Sequence, residues 1–122
     1  MRKVVYEAGQ ISNANCTCVA ENLHRFTRLE NALLRAGYAP LNPAADWGAV
    51  SLGGVDYEMV MSRDRALILA SDALYFQLGW KDSPGARREH KFATANGIIC
   101  VEEPPEGFEA SGFRELREAL ET

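Results

Sequence analysis

The spacing of apolar positions changes from segment to segment along this chain, and each change marks an element. Residues 3–8, Lys-Val-Val-Tyr-Glu-Ala, form a short apolar run that ends at Gly9 and predicts a first strand. From Val19 to Ala36, Leu23, Phe26, Leu29 and Leu33 recur at three- and four-residue steps, with Leu34 beside the last. That is the pattern of an amphipathic helix, and Gly37 stops it. Residues 38–41 make a short second strand ended by Asn42-Pro43, and Pro40 puts it at a sheet edge. Residues 44–55 hold glycines and Trp47 without a clear period and read as a loop. A second helix covers 56–70, a third strand 72–78, and a third helix opens at Ser83-Pro84-Gly85 and runs to Ala95. Ile98-Ile99-Cys100-Val101 is apolar throughout, as a buried parallel strand should be. Beyond Pro104-Pro105, a terminal helix over 111–121 carries Phe113, Leu116 and Leu120.

Strands alternating with helices predict a doubly wound α/β domain with a flavodoxin- or Rossmann-like parallel sheet of four to five strands and helices on both faces. At 122 residues the chain reads as one domain, 1–122. Ligands of such folds bind beyond the carboxyl ends of the strands, at a topological switch point. The segments to examine are therefore Gly9 to Asn13, Asn42 to Trp47 and Gly79 to Gly85.

Composition narrows the function classes. A net charge of -4 supplies no basic stripe, so a long nucleic acid is not the expected partner, while a single nucleotide is compatible. No apolar run approaches a membrane span, and the N-terminus lacks the apolar core of a signal peptide. The three cysteines, an odd count, fit a reducing compartment, and the cytoplasm is the expected location. Walls are scarce in so small a domain, which predicts a homo-oligomer. Cys16-x-Cys18 has no partner pair, so neither a metal nor another cofactor is expected. There is no Walker loop and no Gly-x-Gly-x-x-Gly.

The strongest local signal runs from Gly79 to Glu89. Ser83 is a preferred helix N-cap, Pro84 suits the first helical position, and Gly85 and Ala86 leave the first turn open to an anion. Glu89 lies four and three residues past that pair, so its carboxylate leans back over them. From spacing alone, Glu89 is either a catalytic carboxylate facing an anion site or a solvated acid on a well-capped helix. Tyr6 either hydrogen-bonds a carboxylate across the sheet end or sits in the core with a wet hydroxyl. Asp64 by itself reads as a surface charge. Asp72 opens a strand, a place for a carboxylate that is capped or used. His24 and His90 read as surface or interface residues. Trp47 and Tyr57 can stack on a base or pack in the core.

Together these residues resemble the nucleoside 2-deoxyribosyltransferase superfamily, which includes the 2'-deoxynucleoside 5'-monophosphate N-glycosidases, and within it a branch carried by phages and bacteria. The resemblance is carried by Tyr6-Glu7-Ala8-Gly9, Gly37-Tyr38, Asn42-Pro43, Arg63-Asp64, Ser71-Asp72-Ala73, Gly79-Trp80 and Ser83-x-Gly85-Ala86-x-x-Glu89, in order over residues 3–101. It implies that Glu89 is the nucleophile at the anomeric carbon, that Tyr6 orients it, and that Asp64 stands near the leaving base. Gly9, Asp72, Ser83, Gly85 and Ala86 become substrate-binding positions. Ser83 matches members that act on monophosphates, where others carry an acid; a hydroxyl at a helix start donates to a phosphate that an acid repels. The chain departs from the pattern at Gly9-Gln10, and its loop from Ile11 to Thr17 lacks the arginine those enzymes place near the phosphate, a role open to Arg87 or Arg88. Glu7, an acid within the first strand, has no account in the pattern. The expectation is an N-glycosidase or deoxyribosyltransferase acting on a small nucleoside or nucleotide. The alternative is a non-catalytic protein that binds or sequesters a nucleotide in the same pocket.

Overall fold

The computed structural model describes residues 1–11 and 17–121. Cys16, and most of the loop singled out between Ile11 and Thr17, lie outside those residues. Four strands form one sheet: β1 (Val4–Ala8), β2 (Ala39–Leu41), β3 (Ala73–Phe76) and β4 (Ile99–Glu102). Their order is β2-β1-β3-β4 and every pairing is parallel. The chain steps from β1 outward to β2, then back across to β3 on the other side of β1. The carboxyl ends of β1 and β3 are thus the switch point, where the two connections diverge and leave a crevice.

Alternation along the central strands sends side chains to two cores. Val5, Ala73 and Tyr75 face Leu29 and Leu33 of α1 (Thr17–Arg35), with Phe108, Phe113 and Leu116 completing that layer. Tyr6, Ala8, Leu74 and Phe76 face Ile68 of α3 (Tyr57–Leu69) and Ala86 and Ala93 of α4 (Pro84–Ala95). Every residue of β3 is buried, as a strand covered on both faces requires. Leu29 and Leu33 are wholly enclosed, each burial contributing roughly 1.5–3 kcal/mol. Among the described residues no helix is long and apolar enough to cross a membrane.

The structure departs from the sequence pattern in three places. The expected loop over 44–55 contains a short helix, α2 (Trp47–Ser51), too brief for a period to show. β4 is an edge strand: Ile99 is 37% exposed, so its apolar run reflects strand propensity more than full burial. The terminal helix is broken into α5 (Phe108–Ser111) and α6 (Arg114–Glu121). Gly112 (φ 59°) ends α5 in the left-handed region, and Phe113 (φ 60°) follows it there, a conformation that costs a non-glycine residue. The turn swings the Phe113 ring into the core, against Tyr38, Tyr75 and Phe108. Pro40 does lie in an edge strand, where its missing N–H removes no ladder bond.

Candidate active site

A cavity of about 690 Å³ opens at the switch point. Gly9 and Ile11 line it after β1, and Phe26 reaches it from α1. Pro43, with Trp47 and Val50 of α2, forms one wall; Tyr57, Val60, Met61 and Asp64 of α3 form the next. The last wall is Asp82, Ser83 and the first turns of α4, from Pro84 to Glu89.

The start of α4 is built as its residues dictate. Ser83 is the N-cap; its Oγ accepts from the Ala86 N–H at 3.2 Å, and Pro84 follows where its missing N–H is harmless. A methyl group placed on Gly85 would stand 3.6 Å from the Tyr57 hydroxyl and 3.8 Å from Ser83 Oγ, so two hydroxyls converge on this backbone. Arg88 lines the same end of the cavity and lies 5.2 Å over the Tyr57 ring. Arg87 turns away and donates to the Lys81 carbonyl. Of the two arginines, Arg88 is the one that can meet an anion.

Glu89 is not a solvated acid. Ala86, Glu89 and Ala93 form the buried stripe of α4, and Glu89 is 6% exposed. The Tyr6 hydroxyl, fully enclosed in the sheet, donates a short hydrogen bond to Glu89 Oε2. Burial pushes the Glu89 carboxyl up to about 8; the Tyr6 bond pulls it down, nearby Asp64 raises it further, and Arg63 lowers it. Burial likewise lifts the Tyr6 phenol well above its usual value, with Glu89 and Asp64 adding to the rise, so it stays a donor. Asp64, 5% exposed, lines the cavity and lies near enough to raise the pKa of both Tyr6 and Glu89. Burial raises its pKa against the opposing pull of Arg63. Two carboxyls thus share the cavity floor, one of them held by the Tyr6 phenol, an arrangement able to hold a proton beside a reacting bond.

Gly9, Asp64, Ser83, Gly85, Ala86 and Glu89 therefore come together around one cavity with Trp47 and Tyr57, and Tyr6, itself enclosed, meets it through its bond to Glu89. Asp72 does not. It precedes β3 at the amino end of the sheet, where its Oδ2 accepts from the Val4 N–H at 2.7 Å and its own N–H donates to the Val4 carbonyl at 2.8 Å. The strand-opening acid is a cap, at the end of the sheet away from the cavity. His90 is half-buried: its ring stacks on Trp80 at 4.8 Å and meets Phe76 edge-on. The pattern also missed Arg63 as a structural hub, together with the apolar wall of Phe26, Val50, Val60 and Met61. The Trp47 to Val50 step, three residues apart, was the available signal for a helical wall.

Residues 3–102 match the model of a family described as a domain of unknown function, DUF4406. The chain belongs to that family. The DUF4406 segment spans β1 through β4, so it contains the whole sheet, α1 to α4 and every residue that lines the cavity; α5 and α6 lie beyond it. No curated protein matches the chain.

Proposed function

We propose that this chain is an N-glycosidase or deoxyribosyltransferase of the nucleoside 2-deoxyribosyltransferase type, cleaving the base–sugar bond of a 2'-deoxynucleoside 5'-monophosphate. The observation that carries the proposal is the buried Glu89 carboxyl, held by the Tyr6 hydroxyl and beside Asp64, at the foot of a cavity whose other end is an open helix start. Glu89, once ionised, attacks the anomeric carbon as the C–N bond breaks, and Asp64 supplies the proton to the departing base. Water, or a second base, then gives its proton to the Asp64 carboxylate as it attacks the same carbon and releases the Glu89 carboxylate, so configuration is retained. The phosphate sits against the Ser83 hydroxyl and the Gly85 N–H at the start of α4, with Arg88 as its counter-charge. Trp47 and the apolar α3 wall receive the base. No cofactor takes part. The exposed Leu52, Val55 and Met59, in the chain leading from α2 into α3, support a homo-oligomer that covers this face.

A second reading, binding without turnover, is favoured by the high pKa of Glu89, which keeps this carboxyl largely protonated at neutral pH. Incubation with deoxynucleosides and their 5'-monophosphates, with free base measured by chromatography, separates the two. Base release from a monophosphate, abolished in Glu89→Ala, is the expected result. Release that survives Glu89→Ala refutes the nucleophile, and tight binding with no release establishes the sequestering role.

A further inference from the structure

Asp64 does not hold its place alone. Arg63 precedes it on α3 and so starts about 100° further round the helix. Its guanidinium folds back, and Nε donates to Asp64 Oδ1 at 2.7 Å. The rest of the fork crosses to the opposite wall: Nη2 donates to the Pro43 carbonyl at 3.1 Å and Nη1 pairs with the Asp46 carboxylate. Asp46 is the N-cap of α2, yet its side chain makes no capping bond there. Its carboxylate is committed to Arg63 instead. α2 is five residues long, buries none of them, and carries Trp47 and Val50 into the cavity. A helix that short has little stability of its own.

We infer that Arg63 is a positioning residue that sets Asp64 and the α2 wall together, so that the acid and the base-facing wall are held as one unit. This rests on the reading of Glu89 and Asp64 given above. Only a planar guanidinium presents parallel and splayed donors to three acceptors at once; an ammonium group reaches one or two of them. Among the described residues, Arg63 is a cation that faces this group. Around Asp64 stand Tyr6 from β1, Glu89 from α4, Asp46 from the segment before α2 and Arg63 from its own helix. Arg63 lowers the pKa of Tyr6, Asp64 and Glu89 alike, while Asp46 raises that of Asp64. Removing the guanidinium therefore moves both carboxyls upward.

The test compares wild type with Arg63→Gln and Arg63→Lys in two measurements. The first is the pH profile of kcat and KM for base release. The second is an NMR titration of the Asp64 carboxyl in the ligand-free protein, which needs no turnover. Arg63→Gln is expected to lower kcat at least about tenfold, the scale of a misplaced catalytic group, and to shift the profile and the Asp64 titration to higher pH. Arg63→Lys keeps a charge, so the titration stays near the wild-type position, but kcat stays low because the fork is lost. An Asp64 titration unmoved in Arg63→Gln, or kcat restored in full by Arg63→Lys, overturns the inference, and Arg63→Lys alone decides it if Arg63→Gln does not fold. Glu89→Ala run in parallel keeps the outcomes distinct. If Glu89→Ala still releases base, the proposed reaction fails; if it is inactive while the Arg63 variants behave as wild type, only the role of Arg63 falls.

Discussion

Glu7 gives the sharpest test of the fold's energetics. It lies on β1 directly beside Tyr6 but points to the opposite face of the sheet, toward α1, and is 0% exposed. Neither of its carboxyl oxygens has a hydrogen-bond partner among the described residues. Burial, with Glu30 nearby adding to the effect, pushes its pKa from 4.5 to about 9. A buried carboxyl with no cation beside it holds its proton, because ionising it in an apolar layer costs more than taking up the proton.

The consequence for stability has a definite sign. The folded pKa is above the unfolded one, so the unfolded chain releases this proton first as pH rises. The contribution of Glu7 is fully present below pH 4.5 and is lost as pH climbs to about 9. The slope is about 1.4 kcal/mol per pH unit, which amounts to about 3 kcal/mol by pH 7. That is a large fraction of the 5–15 kcal/mol that holds a typical domain folded. Glu7→Gln keeps the shape and does not titrate. Urea denaturation of both proteins from pH 5 to 9 should therefore give curves that nearly coincide at pH 5 and separate steadily, with the variant more stable by several kcal/mol at pH 8. Curves that stay parallel over this range refute a neutral Glu7. A variant less stable at every pH would place a hydrogen-bond partner or a cation at this carboxyl.

Two other predictions bear on the site. Base release should follow a bell in pH, because Glu89 must be ionised, a step centred near pH 8, while Asp64 must keep the proton it gives to the base; Tyr6→Phe should move the Glu89 limb upward, because the Tyr6 bond lowers the Glu89 pKa. A profile flat from pH 6 to 9, or a Glu89 limb unmoved in Tyr6→Phe, contradicts this assignment. Asp72→Ala should cost about 1 kcal/mol of stability through the lost cap on Val4, with KM unchanged in the base-release assay. A KM raised more than about threefold, beyond about 0.7 kcal/mol of binding, would return Asp72 to the site.

What the sequence made legible follows from how local each feature is. The α1 stripe of Phe26, Leu29 and Leu33 and the Ser83-Pro84 start of α4 are written within a few residues, and both stand in the structure. The switch point needed only the alternation of strands and helices. The failures are long-range. Glu89 by spacing alone was as good a surface acid as a buried one, because the sheet that covers it comes from β1, eighty-three positions away. Asp72 was placed at the site by its match to a pattern, although a carboxylate that opens a strand meets the amino end of its neighbour, here Val4. Arg63 was noticed beside Asp64 but its role was not, because its partners, Pro43 and Asp46, are twenty and seventeen residues off. The break at Gly112 was overlooked because apolar periodicity continues through Phe113 and Leu116, while the backbone turns to deliver the ring to the core.

The cavity floor sets two carboxyls in one buried space, and the proposed reaction asks opposite things of them: Glu89 must lose its proton to attack, and Asp64 must keep one for the departing base. Burial raises the pKa of both. The Tyr6 hydroxyl donates to Glu89, and that bond lowers the Glu89 pKa against the burial. A sugar whose anomeric carbon is gaining positive charge favours the ionised Glu89 further. This accounts for a tyrosine at position 6. Its own pKa, raised well above the usual phenol value, keeps it a neutral donor while Glu89 changes charge.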